Sequence, residues 1–216
     1  MAEIVEHITD ARDNGTINVY GVRYNQRGRT DNMAVALPGN PSFDFRHDFC
    51  ANIIDFENAR EVTFNPTSDG LEEGTYEYIP LDNVREKWDE LTGLMEGALP
   101  YHGVENRKRV TQSNLYIGAL DYNEQRYYLC AKQGESSERV FRGKSIYMSN
   151  QDGLQKAELG EVFIMSSFVG LMVDPSEEKV LIFDKKAFQG VFRYDDYQKE
   201  DVQRKISIVE QWNFLA

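Results

Sequence analysis

EVFIMSSFVGLMVDPSEEKVLIFDKKAFQGVFRY, residues 161–194, is the stretch whose reading decides the fold, and it is the most apolar long run in the chain. Val162-Phe163-Ile164-Met165 and Phe168-Val169-Gly170-Leu171-Met172-Val173 read as two buried strands. Asp174-Pro175-Ser176-Glu177-Glu178 has turn composition, because proline presets φ while Asp and Ser can bond the local backbone. Lys179-Val180-Leu181-Ile182-Phe183 is rich in β-branched and aromatic residues, as a return strand should be. Asp184 is then a helix cap, and Ala187, Phe188, Val191 and Phe192 fall on one face of the helix it starts. Burying these side chains at roughly 1.5–3 kcal/mol each makes the stretch the centre of a core.

Outward from this centre, helices and strands interleave. Towards the C-terminus a helix is expected from about Asp196, with Val202, Ile206, Val209 and Trp212 or Asn213 on one face. Towards the N-terminus, Asn114–Tyr122 and Gln125–Lys132 read as an antiparallel hairpin across Asn123-Glu124, and Val140–Met148 offers short strands. Val84, Trp88, Leu91, Met95 and Ala98 recur at helical spacing, with Asp82 as the expected cap and Pro100 as the stop. Val62-Thr63-Phe64 and Thr75–Ile79 read as strands around the polar loop Pro66–Gly74. Phe43–Phe56 suits helix and strand alike. Thr16–Tyr24 and Met33–Leu37 read as strands joined through Arg27-Gly28-Arg29, Pro38–Pro41 as a loop, and residues 3–12 as a helix with Ile4, Ile8 and Ala11 on one face. The expectation is a single α+β domain over residues 1–216, with a mixed, mainly antiparallel sheet and several packed helices. A subdivision near residues 100–110 fits the same pattern.

With 12 Tyr and 12 Phe the chain has the aromatic content of a folded protein rather than a disordered one. No run reaches the ~18 uninterrupted apolar residues of a membrane span, and the N-terminus lacks a signal pattern, so a cytoplasmic protein is expected. Cys50 and Cys130 are too few for a disulfide framework and are expected to be buried hydrophobes.

The formal charge is −12, but it is unevenly spread. Residues 1–100 carry a net −11, residues 101–150 a net +3, and residues 151–216 a net −4. The cationic segment holds Arg107, Lys108, Arg109, Lys132, Arg139, Arg142 and Lys144 among Tyr116, Tyr122, Tyr127, Tyr128 and Tyr147. Ammonium and guanidinium groups neutralise phosphates, and tyrosines stack on bases, so these seven cations are the candidate nucleic-acid contacts. A solvated loop and hairpin would produce the same composition.

The chain has no GxGxxG, GxxxxGK[ST], GxSxG or HExxH motif. His7, His47 and His102 are scattered, with no second ligand at metal spacing, so neither a metal site nor a cofactor is expected. One pattern resembles enzyme chemistry. Asp174 followed by Asp184 and Lys186 is similar to the acid and Asp-x-Lys of metal-dependent nucleases, whose carboxylates hold Mg²⁺. A turn residue, a helix cap and a solvated lysine explain the same three positions without catalysis.

Phe183-Asp184-Lys185-Lys186-Ala187-Phe188 and Val191-Phe192-Arg193-Tyr194 resemble the hallmark of the KwaB-like family of the Kiwa anti-phage defence system, an apolar strand running into a Phe-framed helix. Tyr76–Pro80 running into the Trp88 helix, and the 114–132 hairpin, agree in order and spacing, so the resemblance covers roughly residues 60–200. It implies a bacterial cytosolic protein that binds DNA and works with a small membrane partner to restrain phage. It supplies no catalytic motif for numbered positions here. Family members continue past the terminal helix, so this chain would be a short relative or a piece of one, and a homo-oligomer is compatible with the reading. The leading expectation is thus a DNA-associated defence protein without catalysis of its own. Its alternatives are a module that docks a basic partner through the acidic N-terminal half, and the nuclease of Asp174, Asp184 and Lys186.

Overall fold

A computed structural model describes residues 1–24, 32–37, 42–66, 68, 70–101, 113–132, 144–150, 153–156, 162–166 and 168–194. Two hairpins from the cationic and apolar stretches sit at the middle of a nine-stranded sheet. The first joins β6 (Leu115–Tyr122) to β7 (Gln125–Lys132), and the second joins β11 (Leu171–Asp174) to β12 (Lys179–Ile182). Asn123 and Glu124 adopt φ of 49° and 66°, the left-handed pair that a two-residue hairpin turn requires. Leu171 pairs with Cys130, which docks the second hairpin beside the first.

Beyond β6 follow β1 (Thr16–Arg23), β2 (Met33–Ala36) and β5 (Leu99–Pro100). Beyond β12 follow β4 (Thr75–Pro80) and β3 (Arg60–Thr63). Neighbouring strands are antiparallel except at the two edges, where β3 runs parallel to β4 and β5 parallel to β2. Three further strands, β8 (Lys144–Asn150), β9 (Gly153–Lys156) and β10 (Val162–Ser166), form a second sheet in the order β10-β8-β9. The apolar stretch is therefore divided between two sheets, because β10 pairs with β8 rather than with β11. The fold is α+β with a mixed, mostly antiparallel sheet, as the pattern of strands and helices in the sequence predicts.

Helices cover both faces of the large sheet. On one face lie α1 (Ala2–Asn14) and α2 (Ser42–Ile54), whose Ile8, Ala11, Phe45, Phe49, Cys50 and Ile53 pack on Ile17, Leu120, Leu129, Met172 and Leu181. On the other lie α3 (Arg85–Glu96) and α4 (Lys185–Phe192), whose Trp88, Leu91, Phe188 and Val191 pack on Ile117, Cys130, Val173 and Ile182. Strands covered twice bury every residue, so β11 is buried at all four positions and β6 at its first six. The 43–56 ambiguity resolves as helix, since Phe45, Phe49 and Ile53 recur every four residues on the sheet side.

Asp82 does not cap α3. Leu81–Val84 form a 3-10 turn that buries Leu81 and Val84, the helix begins a turn later, and the Asp82 carboxylate accepts instead from Arg85 at 2.9 Å. The expected helix after Asp196 lies outside the described residues.

Candidate anion-binding site

Where the β3–β4 connection and the end of β7 meet α4, the structure carries a cleft of about 540 Å³. Its walls are Phe64, Pro66 and Ser68 from the β3–β4 connection, Lys132 from the end of β7, and Lys185, Lys186, Gln189 and Gly190 from α4.

The helix is built as its sequence dictates. The Asp184 carboxylate accepts from the backbone N–H of Lys186 at 2.8 Å and of Ala187 at 3.3 Å, satisfying two of the free donors at the helix start. Ala187, Phe188, Val191 and Phe192 turn into the core, so Lys186, Gln189 and Gly190 share the outer face. Ala187 comes so close to Gly170 that a Cβ there would overlap it, which fixes the height of α4 above the sheet.

The three lysines of the cleft differ in their partners. Lys185 is 7% exposed, although it stands in a run that reads as solvated. Its ammonium lies 2.9 Å from Oε1 of buried Glu77 on β4, donates to the Asn65 carbonyl at 2.7 Å and the Ser68 carbonyl at 3.2 Å, and also bonds the Ser68 hydroxyl. The second Glu77 oxygen accepts from the Asn65 amide at 3.3 Å. Lys185 thus fastens the 64–68 wall to the sheet, and its charge is neutralised internally. Lys132 and Lys186 are exposed, and among the described residues neither is paired with a carboxylate. The end of the Lys132 side chain lies against Gly190, in the space a Cβ would fill. Glycine inside a helix costs about 1 kcal/mol relative to alanine, and here it admits the lysine.

Of the seven candidate cations, Lys132 stands in this cleft, and Lys144 begins β8. Arg107, Lys108, Arg109, Arg139 and Arg142 lie outside the described residues. Three of the five tyrosines expected to stack on bases are engaged elsewhere. Tyr116 and Tyr127 are buried in the α1–α2 face, and Tyr128 packs edge-on against Trp88 with ring centroids 4.8 Å apart. The Tyr127 hydroxyl contacts Nδ1 of His7 at 3.0 Å and donates to Gln125, and its burial, with Asp174 and Glu177 nearby, pushes its pKa up to about 12.

Geometry separates Asp174 from the other two residues of the nuclease pattern. Asp174 ends β11 opposite Lys179 at the turn, while Asp184 lies past the other end of the hairpin, beyond the Leu171–Ile182 pair. At about 3.3 Å per residue the two carboxylates stand roughly 15 Å apart, too far to share an ion. Asp174 is buried and accepts from the Ser176 hydroxyl at 2.6 Å and from the amides of Ser176 and Glu177. Among the described residues no three His, Cys, Asp or Glu side chains gather into a metal-binding group, and no helix is long and apolar enough to cross a membrane.

Charge and motif assign no role to Lys185, Gln189, Gly190 or Ser68. The signals were nonetheless present: Lys185 falls three residues before Phe188 on the apolar face, and Gly190 interrupts a good helix pattern. Comparisons with protein-family models, curated proteins and solved structures returned no match to the chain.

Proposed function

We propose that this chain is a DNA-associated protein that contacts phosphate through the lysine cleft, and that it serves anti-phage defence. The observation that carries the reading is that Lys132 and Lys186 both line the cleft beside α4, without carboxylate partners among the described residues. On a chain of net charge −12, two such cations brought together in a walled cleft make a local anion site that the overall charge obscures. The defence role rests on the resemblance of Phe183–Tyr194 to the KwaB-like hallmark, and so does the expectation of a small membrane partner. Charge reversal tests the DNA contact. Lys132→Glu with Lys186→Glu should abolish binding of a labelled oligonucleotide at low salt, with the circular dichroism spectrum unchanged. Equal binding by the reversed variant overturns the assignment to this cleft.

A second reading has its own observation. Asp82, Glu86, Asp89, Glu90 and Glu96 are all exposed along α3 and the turn before it, an acidic face suited to a basic protein partner. An intact chain that fails to bind DNA at low salt favours that docking role.

A further inference from the structure

The charge and shape of the cleft bear on which phosphate it takes. Lys185 is committed to Glu77 and to the 64–68 wall, so it adds no net charge. Lys132 and Lys186 supply two positive charges. Lys186 and Gly190 are one helical turn apart on the same face, the Lys132 side chain ends against Gly190, and Lys132 and Lys186 both line the cleft. The Asp184 carboxylate, the acid at the start of this helix, is turned to the amides of Lys186 and Ala187.

A bridging phosphodiester brings a single negative charge and two free oxygens. A terminal phosphomonoester brings a charge of about −1.5 to −2 at neutral pH and three strong acceptors, which matches two ammoniums. The surroundings favour the compact ligand further. The β3–β4 connection walls the cleft on one side, and its volume of about 540 Å³ suits a nucleotide-sized group. A long polyanion laid across the molecule would meet the acidic remainder of a chain with net charge −12, whereas a dianion is neutralised where it sits.

The geometry points to a terminal phosphomonoester as the ligand of this cleft, supplied by a phosphorylated DNA end or by a free nucleoside monophosphate. This rests on the phosphate-contact reading above and narrows it from backbone to terminus. Gly190 is then a positioning residue, since its missing side chain sets where the Lys132 ammonium lies.

Fluorescence anisotropy on the full chain, with short labelled single strands bearing either a 5′-phosphate or a 5′-hydroxyl, tests the inference. The phosphorylated strand should bind roughly tenfold more tightly at low salt, the effect of one added charge-assisted contact. That preference should vanish in Lys132→Ala with Lys186→Ala. It should also fall in Gly190→Ala, which keeps both charges and displaces one, while circular dichroism shows a retained fold. Competition by deoxyadenosine monophosphate supports the inference with a free nucleotide as the source, and a preference that resists it supports the inference with a DNA end. Equal binding of the two strands overturns the inference and leaves a backbone contact standing. Failure of both strands and of the nucleotide to bind overturns the DNA reading as well.

Discussion

Removing one partner of the Lys185–Glu77 pair should be among the most damaging single changes in this protein. The two side chains are 8% and 6% exposed and meet at 2.9 Å. At an effective dielectric near 20 that separation corresponds to about 6 kcal/mol of attraction, against a desolvation cost of several kcal/mol for each ion. Glu77→Leu leaves a buried ammonium with only the Asn65 and Ser68 oxygens as acceptors. Lys185→Met leaves a buried carboxylate facing a single amide, that of Asn65. Each single change should therefore cost about 3–5 kcal/mol. The double variant removes both charges and keeps apolar volume, losing mainly the bonds that anchor the 64–68 wall, at about 1–2 kcal/mol. Equilibrium urea unfolding of the wild type, both singles and the double closes the cycle. A coupling energy above about 2 kcal/mol is expected. Singles that each cost less than ~1 kcal/mol, or a double equal to their sum, would refute the claim that the pair is a buried, mutually dependent unit.

Phe183→Ala and Phe188→Ala should each cost about 3–5 kcal/mol, because both rings are buried, Phe183 against Phe56 and Phe188 against Phe64, and thermal melts read the loss. Asp184→Ala removes the acceptor of two amide bonds and should cost about 0.5–2 kcal/mol, with α4 the first segment to gain amide exchange. Burial pushes the Cys50 thiol up to about 12 and raises Cys130 further, so neither should react with a thiol reagent near pH 8 until the chain unfolds. The sign for stability follows from the same shift. The unfolded chain releases these protons near pH 8.5 while the folded chain retains them, so stability falls as pH rises from there towards 12, which alkaline urea titrations would show.

The local patterns in the sequence were the legible ones. Asp184 followed by two-residue-apolar periodicity reads as a capped helix because capping and burial are both decided within a few residues. The Asn123-Glu124 turn lies between two clear strands, and the Asp174 turn is closed by its own carboxylate. Asp82 misled because a 3-10 turn that buries Leu81 looks, in sequence, like the first turn of α3. Pairings set by distant contacts were illegible. Nothing near Arg60 or Leu99 says that the two edge strands run parallel to their neighbours, and nothing in Val162–Ser166 says that it leaves the large sheet for β8. The site was legible in pieces. Charge singled out Lys132, and the nuclease-like spacing singled out Lys186, but their meeting depends on β7 ending beside α4 and on the bare backbone of Gly190. Lys185 shows the reverse error, a lysine in a basic pair that the fold draws inside to meet Glu77.

The salt dependence of DNA binding tests the phosphate cleft most directly. For a single strand the slope of log K against log salt is about −0.7 per phosphate neutralised. Replacing Lys132 and Lys186 together by Ala should flatten that slope by about 0.7 units where both lysines hold one terminal phosphate, and by about 1.4 where each holds its own, alike for every sequence tested, because phosphate contacts do not read bases. A slope unchanged in a folded double variant would contradict the account and move the contact away from α4.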